Sequence, residues 1–138
     1  MFTAESRPRG RKFGVSVHEV LPVCDLAILA TADAQELSEW ADEFEQLCES
    51  VEPLRIRRDI QPNSPFRIWI RTHRKGWLTG TATYFHGRLV SLETESPIES
   101  GTSGGPIVDE NGELVSVVSN DHAGPFVAVN LPPWAMPK

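Results

Sequence analysis

This sequence predicts a mainly β fold, a small closed antiparallel barrel with one amphipathic helix inserted before it. The hydrophobic period is helical from Thr31 to Val51 and becomes alternating beyond Pro53. About six short apolar segments follow Pro65, with the number and spacing of a closed barrel. Of the 138 residues, 40 % are hydrophobic and 23 % charged, the balance of a folded domain with a sizeable core and not of a disordered chain.

Met1 to Lys12 is polar and Arg-rich with no apolar run behind it, so it is expected to be a basic, flexible extension without a secretory signal. Phe13, Val15 and Val17 alternate with polar residues, as in a half-buried strand. Cys24 to Leu29, CDLAIL, is a compact run with one charge inside it. Burying that carboxylate without donors is costly, so Asp25 should be hydrogen-bonded or employed. From Thr31, the residues Leu37, Trp40, Ala41, Phe44, Leu47, Cys48 and Val51 recur at three and four positions and form one apolar stripe. Asp33 with Glu36 suits a helix start, and Glu52-Pro53 ends the helix. The helix, over 34–51, is expected to pack through Trp40, Phe44 and Leu47 on the barrel of residues 65–131; the other reading is a partner-binding helix.

β-structure follows. Phe66, Ile68 and Ile70 alternate with Arg67, Trp69 and Arg71, and His73 to Gly76 forms a turn. Trp77 to Phe85 and Arg88 to Thr94 are two more strands, Ile107-Val108 and Leu114 to Val118 flank the hairpin signal Asp109-Glu110-Asn111-Gly112, and Phe126 to Leu131 is the last strand. The organisation expected is an N-terminal extension over 1–12, strands over 13–32, a helical insertion over 33–52 and a barrel over 53–138.

The net charge of −6 argues against a general nucleic-acid binder, and no hydrophobic run reaches membrane-spanning length. The average hides a polarity, because residues 33–52 hold eight acidic and no basic residues whereas 55–75 hold seven Arg and Lys against Asp59 alone. Solvated faces and a dedicated partner-binding patch are both open readings of these segments. Cys24 and Cys48 form neither a disulfide framework nor a metal-ligand spacing, and both are expected to be reduced and partly buried. No metal or organic cofactor is implied, and the compartment stays open.

The chemistry is concentrated in ESGTSGGPIVDENGELVSVVSN, residues 99–120. A serine hydroxyl is a poor nucleophile at neutral pH and needs a base for its proton and donors for the developing oxyanion. Gly101 can adopt a backbone conformation barred to other residues, so that its amide and that of Ser103 form a donor pair. Gly104 and Gly105 would let a substrate backbone approach, and Pro106 starts a strand that fixes the loop.

GTSGGPIVDENGELVSVVS resembles the nucleophile segment of the trypsin-like serine peptidases of the PA clan, with the two-barrel chymotrypsin fold. It is more like bacterial or degradative members than digestive ones, which usually carry Asp where this chain has Thr102. CDLAIL is similar to the family's Asp-Leu-Ala-Leu-Leu segment. The resemblance spans most of Phe13 to Trp134 and implies a serine endopeptidase acting on polypeptide. Ser103 would be the nucleophile, Asp25 the triad aspartate, and Gly101 and Ser103 the oxyanion donors; Ser119, Asn120 and Asp121 would receive substrate backbone, and Pro97 would lie at the base of the primary pocket. Residues 13–32 would then be the last strands of a first barrel.

The family's histidine precedes its aspartate within a motif resembling Thr-Ala-Ala-His, and none of the 24 residues before Asp25 forms one. His18 is too close in sequence to Asp25 to face it across a cleft. His73 and His86 are expected to be solvated turn residues, and His122 to bind substrate at most. The chain is therefore expected to have little peptidase activity, as a truncated peptidase or as a pseudopeptidase that binds peptide or protein.

Overall fold

The computed structural model describes residues 2–6, 11–22, 26–31, 38–85, 89–119 and 126–127. Strand β1 (Phe2–Ser6) pairs antiparallel with β2 (Arg11–Leu21) in a register that sets Phe2 opposite Val15, and β3 (Leu26–Thr31) completes a three-stranded sheet in the order β1-β2-β3. More than half of the expected flexible extension is thus strand: β1 and the start of β2 satisfy one another's backbone groups, whatever their weak apolar pattern.

Helix α1 (Ser38–Ser50) lies on β2. Gly14 makes this possible, since a Cβ there would lie 2.0 Å from Trp40 Cε3. Ala41 is buried, and Trp40, Phe44 and Leu47 are half-buried, so the stripe is a packing face, but the contact it makes is with β2 and not with the strands after residue 65 for which it was expected. Cys48 is a free, exposed thiol and Val51 is also exposed; Cys48 stands in the last turn of the helix and Val51 one residue past its end, where the stripe runs out. The expected helix start at Asp33 and Glu36, and Cys24, lie outside the described residues.

The chain divides into two compact units, one drawn from residues up to Pro53, the other from Leu54 onward together with the stretch around Pro22 and Leu26. The second unit contains β4 (Phe66–Arg71), β5 (Trp77–Phe85), β6 (Leu89–Thr94), β7 (Pro106–Asp109), β8 (Leu114–Val117) and β9 (Phe126–Val127). They form one antiparallel sheet in the order β8-β7-β4-β5-β6-β9. Alternation decides the face each residue presents: Ile68 and Ile70 of β4 are fully buried whereas Arg67 and Arg71 are exposed. With Ala82, Leu92, Ile107 and Val118 they form the core, each larger side chain contributing about 1.5–3 kcal/mol by burial.

The sheet is not the closed barrel that the strand count predicts. Residues 55–57 take the outer edge of β8, with Arg57 N donating to Leu114 O at 2.9 Å and Leu114 N to Arg55 O at 2.6 Å, so the bonds a closing strand would need there are already made. Asp109 anchors the same corner. Its buried carboxylate accepts the Asn111 and Glu113 amides, both at 2.9 Å, and Arg57 Nη1 at 3.3 Å.

Candidate functional site

The segment between β6 and β7 returns the chain across the end of the sheet. Ile98 packs against the core and holds its middle, and Pro106 opens β7. Two turns follow in succession, closed by Thr102 N donating to Glu99 O at 3.3 Å and Gly105 N to Thr102 O at 2.8 Å. Gly104 N then donates to Val118 O at 2.7 Å and Val118 N to Gly105 O at 2.9 Å, which ties the loop to the end of β8.

Gly101 and Gly104 have φ of 87° and 83°, values that favour glycine, so the expected conformation at Gly101 is present. Gly105 has a different reason to be glycine. A Cβ there would lie 2.5 Å from Arg71 O and 2.8 Å from Thr102 O, so its bareness admits the protein's own β4, not a substrate backbone as expected. Gly104 is open, with nothing within 4 Å of a Cβ.

Among the five amides of residues 101–105, those of Thr102, Gly104 and Gly105 are used inside the loop or on β8. The Gly101 and Ser103 amides donate to no acceptor among the described residues, and Ser103, which is exposed, has no hydrogen-bond partner for its hydroxyl there. These are the two amides expected to serve as oxyanion donors.

A second turn, residues 72–76, is clamped to this loop. Thr72 closes it, its amide donating to Gly76 O at 2.8 Å and its hydroxyl to the same oxygen at 3.0 Å, while Lys75 N donates to Thr72 Oγ1 at 3.1 Å. The clamp joins the two: His73 N donates to the buried Thr102 Oγ1 at 3.3 Å, and Arg74 N and Lys75 N donate to Glu99 Oε1, the latter at 3.2 Å. The Arg74 amide bond chiefly, with the Lys75 amide and charge and the Thr72 hydroxyl, holds the Glu99 carboxyl below its ordinary range, against a smaller opposing effect of desolvation. His73 is exposed, as expected of a turn residue, yet its ring packs on the loop, with Cδ2 and Cγ each 3.5 Å from where a Gly101 Cβ would sit.

Of the other sequence-derived site residues, three are described. Pro97 is exposed while its neighbour Ile98 faces the core, so a pocket floor at Pro97 has no support in its burial. Ser119 is buried just beyond β8, and His18 is exposed on β2. Asp25, His86, Asn120, Asp121 and His122 lie outside the described residues. Sequence reasoning missed the clamp of Thr72, Glu99 and Thr102. Its only signal was that Thr102 and Glu99 are short-range neighbours of the serine, since their partners stand more than twenty positions away. Among the described residues, no group of His, Cys, Asp and Glu side chains gathers as a metal site.

No family model matches this chain, and no curated protein is significantly similar to it.

Proposed function

We propose that Ser103 is the nucleophile of a serine-peptidase site of the trypsin-like kind, with the Gly101 and Ser103 amides holding the oxyanion. One observation supports this best: of the five amides of residues 101–105, the two that donate to no acceptor among the described residues are those on either side of Thr102, beside an exposed serine hydroxyl. In the reaction, Ser103 Oγ bonds to the peptide carbonyl carbon and its proton passes to a base. That proton then goes to the leaving amine as the C–N bond breaks, and water hydrolyses the acyl-enzyme. Asp25 would orient the base, and the sheet of β4–β9 would correspond to the second barrel of the two-barrel fold. Ser119, Asn120 and Asp121 would receive substrate backbone.

None of the described residues offers Ser103 a hydrogen-bonded base. The reading therefore makes a two-sided expectation. A fluorophosphonate probe should label the chain no faster than Ser103→Ala in plain buffer, because losing the base removes several orders of magnitude of rate. Added imidazole, but not an equally basic and bulkier amine, should accelerate labelling at Ser103. Labelling that imidazole leaves unchanged, or that maps to another residue, would refute the nucleophile assignment. It would favour instead a peptide-binding module, in which the same free amides hold a carbonyl without chemistry.

A further inference from the structure

The turn clamped to the Ser103 loop, with the last residue of β4 before it, carries four cationic or protonatable side chains, Arg71, His73, Arg74 and Lys75, all exposed. Glu99 is the acid that holds this turn, but its Oε1 is occupied by the Arg74 and Lys75 backbone amides. Among the described residues, neither the Arg74 nor the Lys75 side chain has an ion-pair partner. Glu99 thus fixes the backbone of the turn and leaves the Arg74 head-group unmatched; Lys75 feels its charge without a contact.

Arg71 is held differently. Its guanidinium lies 5.7 Å from the centre of the Trp77 ring, and Trp77, opposite it across the β4–β5 pair, is 53 % exposed. A cation stacked on an exposed ring keeps its charge available and loses less freedom when it meets a planar carboxylate. Three hydrogen bonds and a ring contact place this cationic edge against the loop that presents the free amides: His73 N to Thr102, the Arg74 and Lys75 amides to Glu99, and the His73 ring on Gly101. A polypeptide whose carbonyl sat at the Gly101 and Ser103 amides would run its neighbouring side chains past this edge.

We infer that the edge formed by Arg71, Arg74, Lys75 and Trp77 selects polypeptide segments with acidic side chains flanking the carbonyl held at the Ser103 loop. The inference rests on the Ser103 reading for the position of that carbonyl and deepens it by naming the substrate or ligand class. Acidic peptide is favoured over nucleic acid because the edge offers three fixed cations in a chain of net charge −6, too few for the many phosphate contacts that carry nucleic-acid binding but enough for two or three carboxylates of a peptide.

The test is fluorescence anisotropy of the full chain, as Ser103→Ala so that nothing is turned over. One fluorescein-labelled nonapeptide alternates Asp and Glu with Ala, a second replaces them with Asn and Gln, and a nine-nucleotide oligothymidine is the third probe. The acidic peptide should bind roughly tenfold tighter than the neutral one, from two or three exposed charge contacts. The preference should shrink with added salt and in the double variant R74Q/K75Q, whose backbone bonds to Glu99 are untouched. Equal affinities, no binding by either peptide, an undiminished preference in R74Q/K75Q, or tighter binding of the oligothymidine would each overturn the inference. The imidazole-dependent labelling of Ser103 is read separately, so its failure with the acidic preference intact would remove the nucleophile and leave the cationic edge, and the reverse result would do the opposite.

Discussion

Replacing Gly105 by alanine tests the idea that the loop is seated on β4. Ordinary contact begins at 3.4 Å, so the new Cβ would be about 0.9 Å too close to Arg71 O and about 0.6 Å too close to Thr102 O. Both oxygens are backbone, and no side-chain rotation relieves them. Either the end of β4 or the loop has to move, and overpacking of this kind costs about 1–3 kcal/mol. Movement of the loop also weakens the bonds of Gly104 N and Val118 N that flank the site, each contributing about 1 kcal/mol. A total of about 2–4 kcal/mol corresponds to a fall in melting temperature of roughly 5–15 °C for a chain of this size. Gly104→Ala is the control. Its φ of 83° strains an L-residue by about 1–2 kcal/mol, but the Cβ enters open space. Thermal unfolding followed by circular dichroism should rank Gly105→Ala as the more damaging, and imidazole-dependent labelling at Ser103 should fall further in it. If Gly104→Ala is the more destabilising, the seating of the loop on Arg71 and Thr102 is wrong.

Two further outcomes are expected. Asp109→Ala deprives two amides and Arg57 of their buried acceptor and should cost about 3 kcal/mol in urea unfolding, whereas Asp109→Asn keeps an oxygen for the amides and should lose about half as much; equal losses would show that the amide bonds contribute nothing. Because the folded state depresses the Glu99 pKa, the clamp's contribution is complete above the ordinary glutamate range and is lost as pH falls through the depressed value; the Arg74 and Lys75 amide resonances should therefore titrate below that range and stay flat in Glu99→Gln, and a midpoint at or above it would rule out the clamp.

The elements legible in the sequence are those whose information is local. β4 and β5 follow from alternation that burial then enforces, with Ile68 and Ile70 inside and their arginine neighbours outside. The β7–β8 hairpin follows from Asp109 and the turn residues after it, since an aspartate there can take the amides of its own turn. β1 was not legible, because FTAES owes its strand to pairing with β2 and not to a pattern of its own. Nor was the open sheet: which segment takes the edge of β8 is decided by the backbone of 55–57, a stretch whose Arg-Ile-Arg composition carries no strand period. Helix α1 was found from its stripe, but its seat was not, because a glycine at position 14 announces nothing until an indole ring is laid over it.

The same division runs through the candidate site and bears on what the free amides mean. Exposed amides can meet water, so an unbonded Gly101 or Ser103 amide alone is no more than a feature of a glycine-rich turn. What separates this loop from such a turn is that it is held on three sides: bonded to the end of β8 through Gly104 and Gly105, bonded to the 72–76 turn through Glu99 and Thr102, and packed closely on β4 at the bare face of Gly105. Donors held this way need little reorganisation when charge develops on an oxygen in front of them, which is the condition for an oxyanion site to contribute to rate. The glycines that made the loop recognisable give it its path, while Glu99 and Thr102 hold it still through side chain-to-backbone bonds reaching across the sheet end, to a turn that Thr72 closes. Preorganisation is therefore a property of the clamp more than of the motif.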